Sequence, residues 1–472
     1  MKHGLLVVAC LLGVPLVAAE PSKPPFRAGA ATSNITPPLG GPIIGNFTTP
    51  PATSVHDELH ARCIVLDDGK VRLALVVCDL LGIGYDVSTE ARKLIETNTG
   101  IPPAQVLISA VHTHSACSAM NAAPLDEYSR FVARRIADSV QTALSTLRPA
   151  QLAFVTADAP EHVNNRRWLM KPGTAPRNPF GTIDQVKMNP AVASPDLVEP
   201  AGPTDPTISV MALREPDGHP IAVFSTYSLH YVGGVKSGGD VSADYYGMYC
   251  DKLARLLGAD DQDPPFVAAM ANGTSADINS IDFRNARPSL PPYAKMRLIA
   301  DDVAGKVHAA LAKAEYRDGV TLAARYREPM IARRQPTAEQ LAWARETLDK
   351  QPADADPAKV DLSVVYARRT LSLAETPEKL PVPLQILRIG PVCIGTMPTE
   401  VFCEIGLDFR QRCPIQPAQL VSLAHGYMGY LPTPRHFPLG GYETWLGTSR
   451  LEPDASIKML DALLEMAAEV KE

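Results

Sequence analysis

The sequence predicts an α/β protein with an α+β tendency, built as mixed, largely parallel central sheets with covering helices in one large catalytic-type domain. Three observations carry this expectation. Strand-like apolar runs alternate with amphipathic helical segments, an order that needs a sheet covered by helices. Several runs come in pairs around Asp-Gly or Gly-Pro turns, which are hairpin signals. The 472 residues are 46% hydrophobic and 20% charged, enough for a sizeable core and without the signature of disorder.

The chain opens with Lys2 and His3, a continuous apolar stretch over 4–17, and the small-residue site Val17-Ala18-Ala19. This is the pattern of a signal peptide over 1–19, with 20–472 as the mature domain. The stretch is short for a membrane span, which needs about 20 residues, and no later segment is apolar enough for a transmembrane anchor. The expectation is an exported protein, periplasmic or secreted.

A linker over 21–25 precedes a strand and turn over 27–36 and a Pro- and Gly-rich loop over 37–51. Strands over 63–66 and 71–78 flank the turn Asp67-Asp68-Gly69-Lys70 and end at Asp79, which either faces a site or caps the next turn. A helix follows over 88–97, then a strand closing the run QVLISAVHTHS at 105–115. The segment 126–147 places Tyr128, Val132, Ile136, Val140 and Leu144 on one helical face. A strand over 151–158 leads to Asn164-Asn165-Arg166. The stretch 171–206 is dense in Pro, Gly and Asn, and a loop this long is expected to wall a cleft. A second strand pair spans 207–213 and 220–227 around Asp217-Gly218. Helices over 244–257 and 293–314 bracket a strand over 266–271. Thr337 and Gln340 form a capping box for a helix over 337–350. Strands over 380–389 and 392–397, a helix over 400–412, a strand over 420–424 and a helix over 455–470 complete the chain. No internal repeat is visible.

The 45 basic and 51 acidic residues give a net charge of -6. That balance argues against nucleic acid, and against an anionic membrane beyond transient surface contact. The seven cysteines after the signal segment are dispersed and odd in number, so they are no disulfide framework, although Cys403 and Cys413 could pair.

Polar residues of metal or oxyanion type recur at strand ends. His112 and His114 are spaced i, i+2 after an apolar strand, so they share a face. They read either as ligands, since neutral imidazole binds zinc, or as a satisfied polar pair. His230 in YSLHYVGG is a ligand or a loop residue. The segment NGTSADIN at 272–279 lets the backbone approach a ligand closely or forms a well-bonded turn. Glu400 is a site carboxylate or a helix N-terminal acid favoured by the macrodipole. Tyr427, Tyr430 and Tyr442 sit among glycines as site or rim aromatics.

The order of these segments resembles the neutral/alkaline non-lysosomal ceramidase family. HTHS, Asn164-Asn165-Arg166, the strand-end His230 before SADYYG, NGTSADIN, PTE and the pair Tyr430 and Tyr442 follow its order. Ala28-Gly29 with Asn34-Ile35-Thr36-Pro37-Pro38 is similar to its opening block. His56-Asp57 to Arg62 and Cys78-Asp79-Leu80 are similar to the next two. The resemblance runs from about residue 27 to about 450 and is nearest to single-domain bacterial members, without the C-terminal immunoglobulin-like domain.

The resemblance implies one catalytic Zn2+ held by His112, His230, Glu400 and Tyr430. It makes His114 a proton handler, and makes Arg166 and Tyr442 donors to the oxyanion. Asn279 stands where the family has a serine; its amide can hydrogen-bond an oxyanion but cannot form an acyl-enzyme. The implied reaction is hydrolysis of an amide by zinc-activated water, with a small-molecule or lipid amide such as N-acylsphingosine as substrate. The alternatives are hydrolysis of an ester, lactone or acylated sugar, and a non-catalytic exported binding protein. A TIM-barrel amidohydrolase also uses HxH, but its later lysine and histidines have no counterparts here.

Overall fold

The hairpin at Gly69 starts the first of three sheets. Its turn needs the positive φ of 84° that glycine adopts freely. The computed structural model describes Met1 and residues 26–351 and 361–471, so the signal segment and linker lie outside the described residues. Strands His60–Asp67 and Arg72–Cys78 pair antiparallel, and Val106–Ala110 joins Arg72–Cys78 in parallel. Arg27–Asn34 and Arg148–Pro149 extend the other edge. The inner strands are near-continuous apolar runs because both faces are covered. Helices Tyr85–Thr99 and Glu127–Ser145 bury one face. The other packs against the second sheet.

The second sheet runs Val267–Asn272, Pro220–Tyr227, Thr207–Arg214, Gln151–Asp158. Helices Asp244–Leu256 and Ala294–Leu311 cover it. The third runs Leu322–Arg327, Leu384–Ile389, Val392–Thr396, Ala418–Val421. Helices Cys403–Arg412 and Ala455–Glu469 pack on it.

One unit recurs in all three sheets: a hairpin, a helix, and a strand that returns parallel to the second hairpin strand. The mixed class with covering helices is as expected, but the balance of pairings is not. Each main sheet has a single parallel pair and is otherwise antiparallel. The reason is economy of connection: a hairpin needs only a short turn, whereas each parallel neighbour needs a crossover helix. The three separate sheets rule out a TIM barrel for the described residues.

Other expectations shift locally. The stretch 171–206 carries short strands Val186–Met188 and Leu197–Pro200 on either side of Arg167–Met170. Helix Leu362–Ala374 was not anticipated. The capping box forms, with both reciprocal hydrogen bonds between Thr337 and Gln340. All seven described cysteines are buried and unbridged, and the thiol of Cys413 meets Cys393 rather than Cys403. No helix among the described residues is long and apolar enough to cross a membrane.

Candidate active site

The three units aim their strand ends at one place. His112 follows Val106–Ala110, His230 follows Pro220–Tyr227, Glu400 follows Val392–Thr396, and Tyr430 follows Ala418–Val421. Glu400 and Tyr430 are register partners in a two-residue parallel ladder.

His112 has a left-handed backbone, φ 79°, which is strained for a residue with a side chain and marks an over-determined position. Its amide donates to the Leu80 carbonyl at 2.8 Å. Its Nδ1 lies 2.8 Å from the Leu81 carbonyl, an acceptor only, so Nδ1 carries the proton and Nε2 is bare. His230 repeats the device, with Nδ1 donating to the Ser275 carbonyl at 3.1 Å. Such contacts fix the tautomer and orientation of metal-binding imidazoles.

The bare Nε2 of His112 lies 3.3 Å from Oε2 of Glu400, and that of His230 lies 3.9 Å from the same oxygen. His114 Nε2 is 3.3 Å from His112 Nε2. Ligand nitrogens of His112, His114 and His230 all lie within 4.8 Å of one another, a group that could hold a metal ion. Oε1 of Glu400 accepts from the Tyr427 hydroxyl at 2.7 Å, but Oε2 is buried without a hydrogen-bond partner. A buried carboxylate oxygen left unpaired among acceptor nitrogens is costly, and a cation at that point removes the cost. The donor set of imidazoles, a carboxylate and a phenol suits zinc.

The electrostatics of the imidazoles and the carboxylate suit a cation, and those of Tyr430 keep its phenol protonated in the absence of one. Burial holds His114 and His230 well below the ordinary histidine range, with Arg166 and the neighbouring imidazoles adding to the effect, so both rings are neutral. Burial alone would raise the Glu400 carboxyl, but His112, Tyr430 and Arg166 hold it below its usual value. Burial and Glu400 push the Tyr430 phenol well up, against the opposing pull of Arg166.

Arg166 donates through Nη2 to the Tyr430 hydroxyl at 3.0 Å. Its Nε faces Glu443 at 3.3 Å, and Glu443 also pairs with Arg167 at 2.6 Å. Burial works against the Arg166 charge, but Tyr430, Glu443 and Glu400 more than restore it. Tyr442 meets Tyr430 edge-on, with ring centres 5.5 Å apart.

Seven of the eight residues singled out from the sequence line one cavity of about 430 Å3: His112, His114, Arg166, His230, Glu400, Tyr430 and Tyr442. Asn279 stands apart, with its amide donating to Asn189 at 3.1 Å; Asn189 and Met188, from the 171–206 stretch, do line the cavity. Asp79 is buried away from the cavity and neither faces the site nor caps the next turn: it ties back to the strand His60–Asp67, accepting from the His60 amide at 2.9 Å and from Arg62 at 3.3 Å. Glu400 is a site carboxylate in a strand, and the helix beyond it starts only at Cys403. A larger surface hollow of about 770 Å3, near Leu152 and Pro417, shares none of these residues.

No protein-family model matches the chain. Solved structures do. Neutral ceramidase from Pseudomonas aeruginosa superposes with a TM-score of 0.68 at 17% identity, over 94% of this chain and 74% of that one. A ceramidase complexed with C2 superposes with a TM-score of 0.69, also at 17% identity, over 95% and 75%. The fold is neutral-ceramidase-like. In this ceramidase-like frame the sequence reading overlooked Tyr427 as a partner of Glu400 and Glu443 as the anchor of Arg166. It also overlooked Tyr231, whose ring stacks on His114 at 3.6 Å. Tyr427 was visible only as one tyrosine among glycines, Tyr231 only as the neighbour of His230 in YSLHYVGG, and Glu443 carried no motif.

Proposed function

We propose that the protein is an exported zinc-dependent hydrolase that cleaves the carbon–nitrogen amide bond of N-acylated lipids. The observation that carries this reading is the unpaired Oε2 of Glu400, enclosed with the bare Nε2 atoms of His112 and His230. The two ceramidases that share the fold support an amide substrate. The apolar segment over 4–17 supports export.

His112, His230 and Glu400 would hold the ion, with Tyr430 as the fourth donor. Bound zinc supplies Lewis acidity and activates water near neutral pH. Attack on the amide carbon places negative charge on its oxygen, and Arg166 and Tyr442 are the preorganised donors for it. Arg166 stays charged because Glu443 and Tyr430 face it. The leaving nitrogen needs a proton, and His114 beside His112 is the group placed to deliver it. Asn279 does not line the cavity itself but bonds to Asn189, which does, so its role is to shape the rim. The products are a carboxylic acid and an amine.

The test is metal content together with amine release from N-acyl amides. The expected outcome is about one zinc per chain, lost in His112→Ala and His230→Ala together with activity. Protein without stoichiometric metal, or a fully active His112→Ala, would refute the proposal.

A further inference from the structure

Arg369 and Arg450 also line the 430 Å3 cavity, and the mechanism above uses neither. The Arg369 guanidinium lies over the Tyr366 ring at 5.0 Å and the Phe47 ring at 5.7 Å, and that of Arg450 over the Tyr427 ring at 5.8 Å. Their polar contacts within the protein are at the outer limit of hydrogen bonding. Arg369 reaches Thr448 Oγ1 at 3.5 Å and Arg450 reaches the Gly447 carbonyl at 3.5 Å. Neither forms an ion pair with a carboxylate among the described residues, whereas Arg166 and Arg167 share Glu443. The cavity wall therefore carries three arginines against one carboxylate, Glu400, in a chain whose net charge is -6.

A guanidinium presents paired donors in a plane that matches a carboxylate. Packing against aromatic rings restrains both guanidiniums without using their donors. Two of these rings, Phe47 and Tyr427, line the same cavity as the reacting groups. Tyr427 donates to Glu400, and Phe47 meets Tyr442 edge-on at 6.2 Å. The cations thus stand one ring away from Tyr442 and Glu400. An anion placed by them must lie within a few bonds of the amide, while Met120 and Met188 offer apolar surface for an acyl chain.

We propose that the substrate is an N-acyl amino acid, whose carboxylate lies beside the amide nitrogen and is bound by Arg369 and Arg450, rather than a neutral N-acylsphingosine. This rests on the amide-hydrolase reading but is tested apart from it, by binding. Calorimetry on the zinc-supplemented protein would compare N-dodecanoylglycine with N-dodecanoylethanolamine, its uncharged counterpart. The acid should bind at least about tenfold more tightly, the scale of one charge-assisted contact. Added salt should shrink the preference.

The double variant R369Q/R450Q should lose about tenfold or more of that preference, and R369K/R450K should keep part of it. Equal affinity for the two amides would overturn the proposal, as would a preference unchanged in the glutamine variant. If that variant does not fold, the salt dependence of the native protein and the lysine variant decide. Selective binding without hydrolysis of either amide would sink the hydrolase reading and leave the carboxylate site standing. Hydrolysis of both amides with no selectivity in binding would do the reverse.

Discussion

His114 is held differently from its two histidine neighbours. The Nδ1 protons of His112 and His230 are fixed by carbonyls, but Nδ1 of His114 is buried without a partner. A ligand benefits from a fixed tautomer, and a proton carrier from a free one. The ring is positioned by the 3.3 Å contact of its Nε2 with His112 Nε2 and by packing between Tyr231 and Gly45. A Cβ added to Gly45 would lie 2.6 Å from the His114 ring, at a residue whose φ of 117° already disfavours a side chain. Gly45→Ala should therefore displace the ring, lowering kcat by up to about 10²-fold while zinc content is kept. Loss of zinc in that variant would make His114 a ligand instead. The strand-end side chains were legible because each closes an apolar run in a motif. The Leu81 and Ser275 carbonyls that orient them were not, because a backbone contact leaves no mark on residue identity. Tyr427 read as a rim aromatic because its target, Glu400, lies 27 residues away.

The helix Cys403–Arg412 shows how long-range pairing edits an element. Apolar spacing and a leading acid point to a start at 400, but the ladder between Glu400 and Tyr430 claims the first residues as strand. Local pattern cannot report a partner 30 residues away. The same helix anchors the loop beyond Tyr430 through Glu404, which accepts from Thr433 and Arg435 and lies 3.3 Å from His436. Burial alone would raise the Glu404 carboxyl, but bonds from His436, Arg435 and Thr433 outweigh it and hold it at about 2, against an ordinary 4.5. A folded-state value below the unfolded one means stabilisation that is fully present above pH 4.5 and is lost as pH falls towards 2. At about 1.4 kcal/mol per unit, the contribution is of the order of 3 kcal/mol. Glu404→Gln should be less stable than the native chain at neutral pH, and urea melts should show the gap closing as pH falls below 4.5. A gap that stays constant through that range would remove Glu404 as its source.

At the scale of the molecule, three units of one topology meet at the proposed ligands: His112 from the first, His230 from the second, Glu400 and Tyr430 from the third. The sequence shows no repeat, because a hairpin followed by a crossover helix can be built from unrelated residues. The shared traces are the turn glycines Gly69, Gly218 and Gly390, each with positive φ. The cavity therefore depends on how the units dock, and docking has two sources. One is apolar: Ile64 and Leu75, Val210 and Phe224, and Ile389 and Val392 belong to one continuous core drawn from all three units. The other is the proposed zinc ion. An ion that binds only the docked state stabilises it by RT ln(1 + [L]/Kd), about 4 kcal/mol when free metal exceeds Kd a thousandfold. Because the apolar core spans the units without it, the metal-free chain should still fold, unlike domains that zinc alone holds together. Chelation should lower the melting temperature by several degrees while unfolding remains cooperative, and zinc should restore it. His112→Ala should melt at the chelated temperature and gain nothing from zinc. If chelator strips the metal without moving the melt of the native chain, the ion sits elsewhere than where the three units converge.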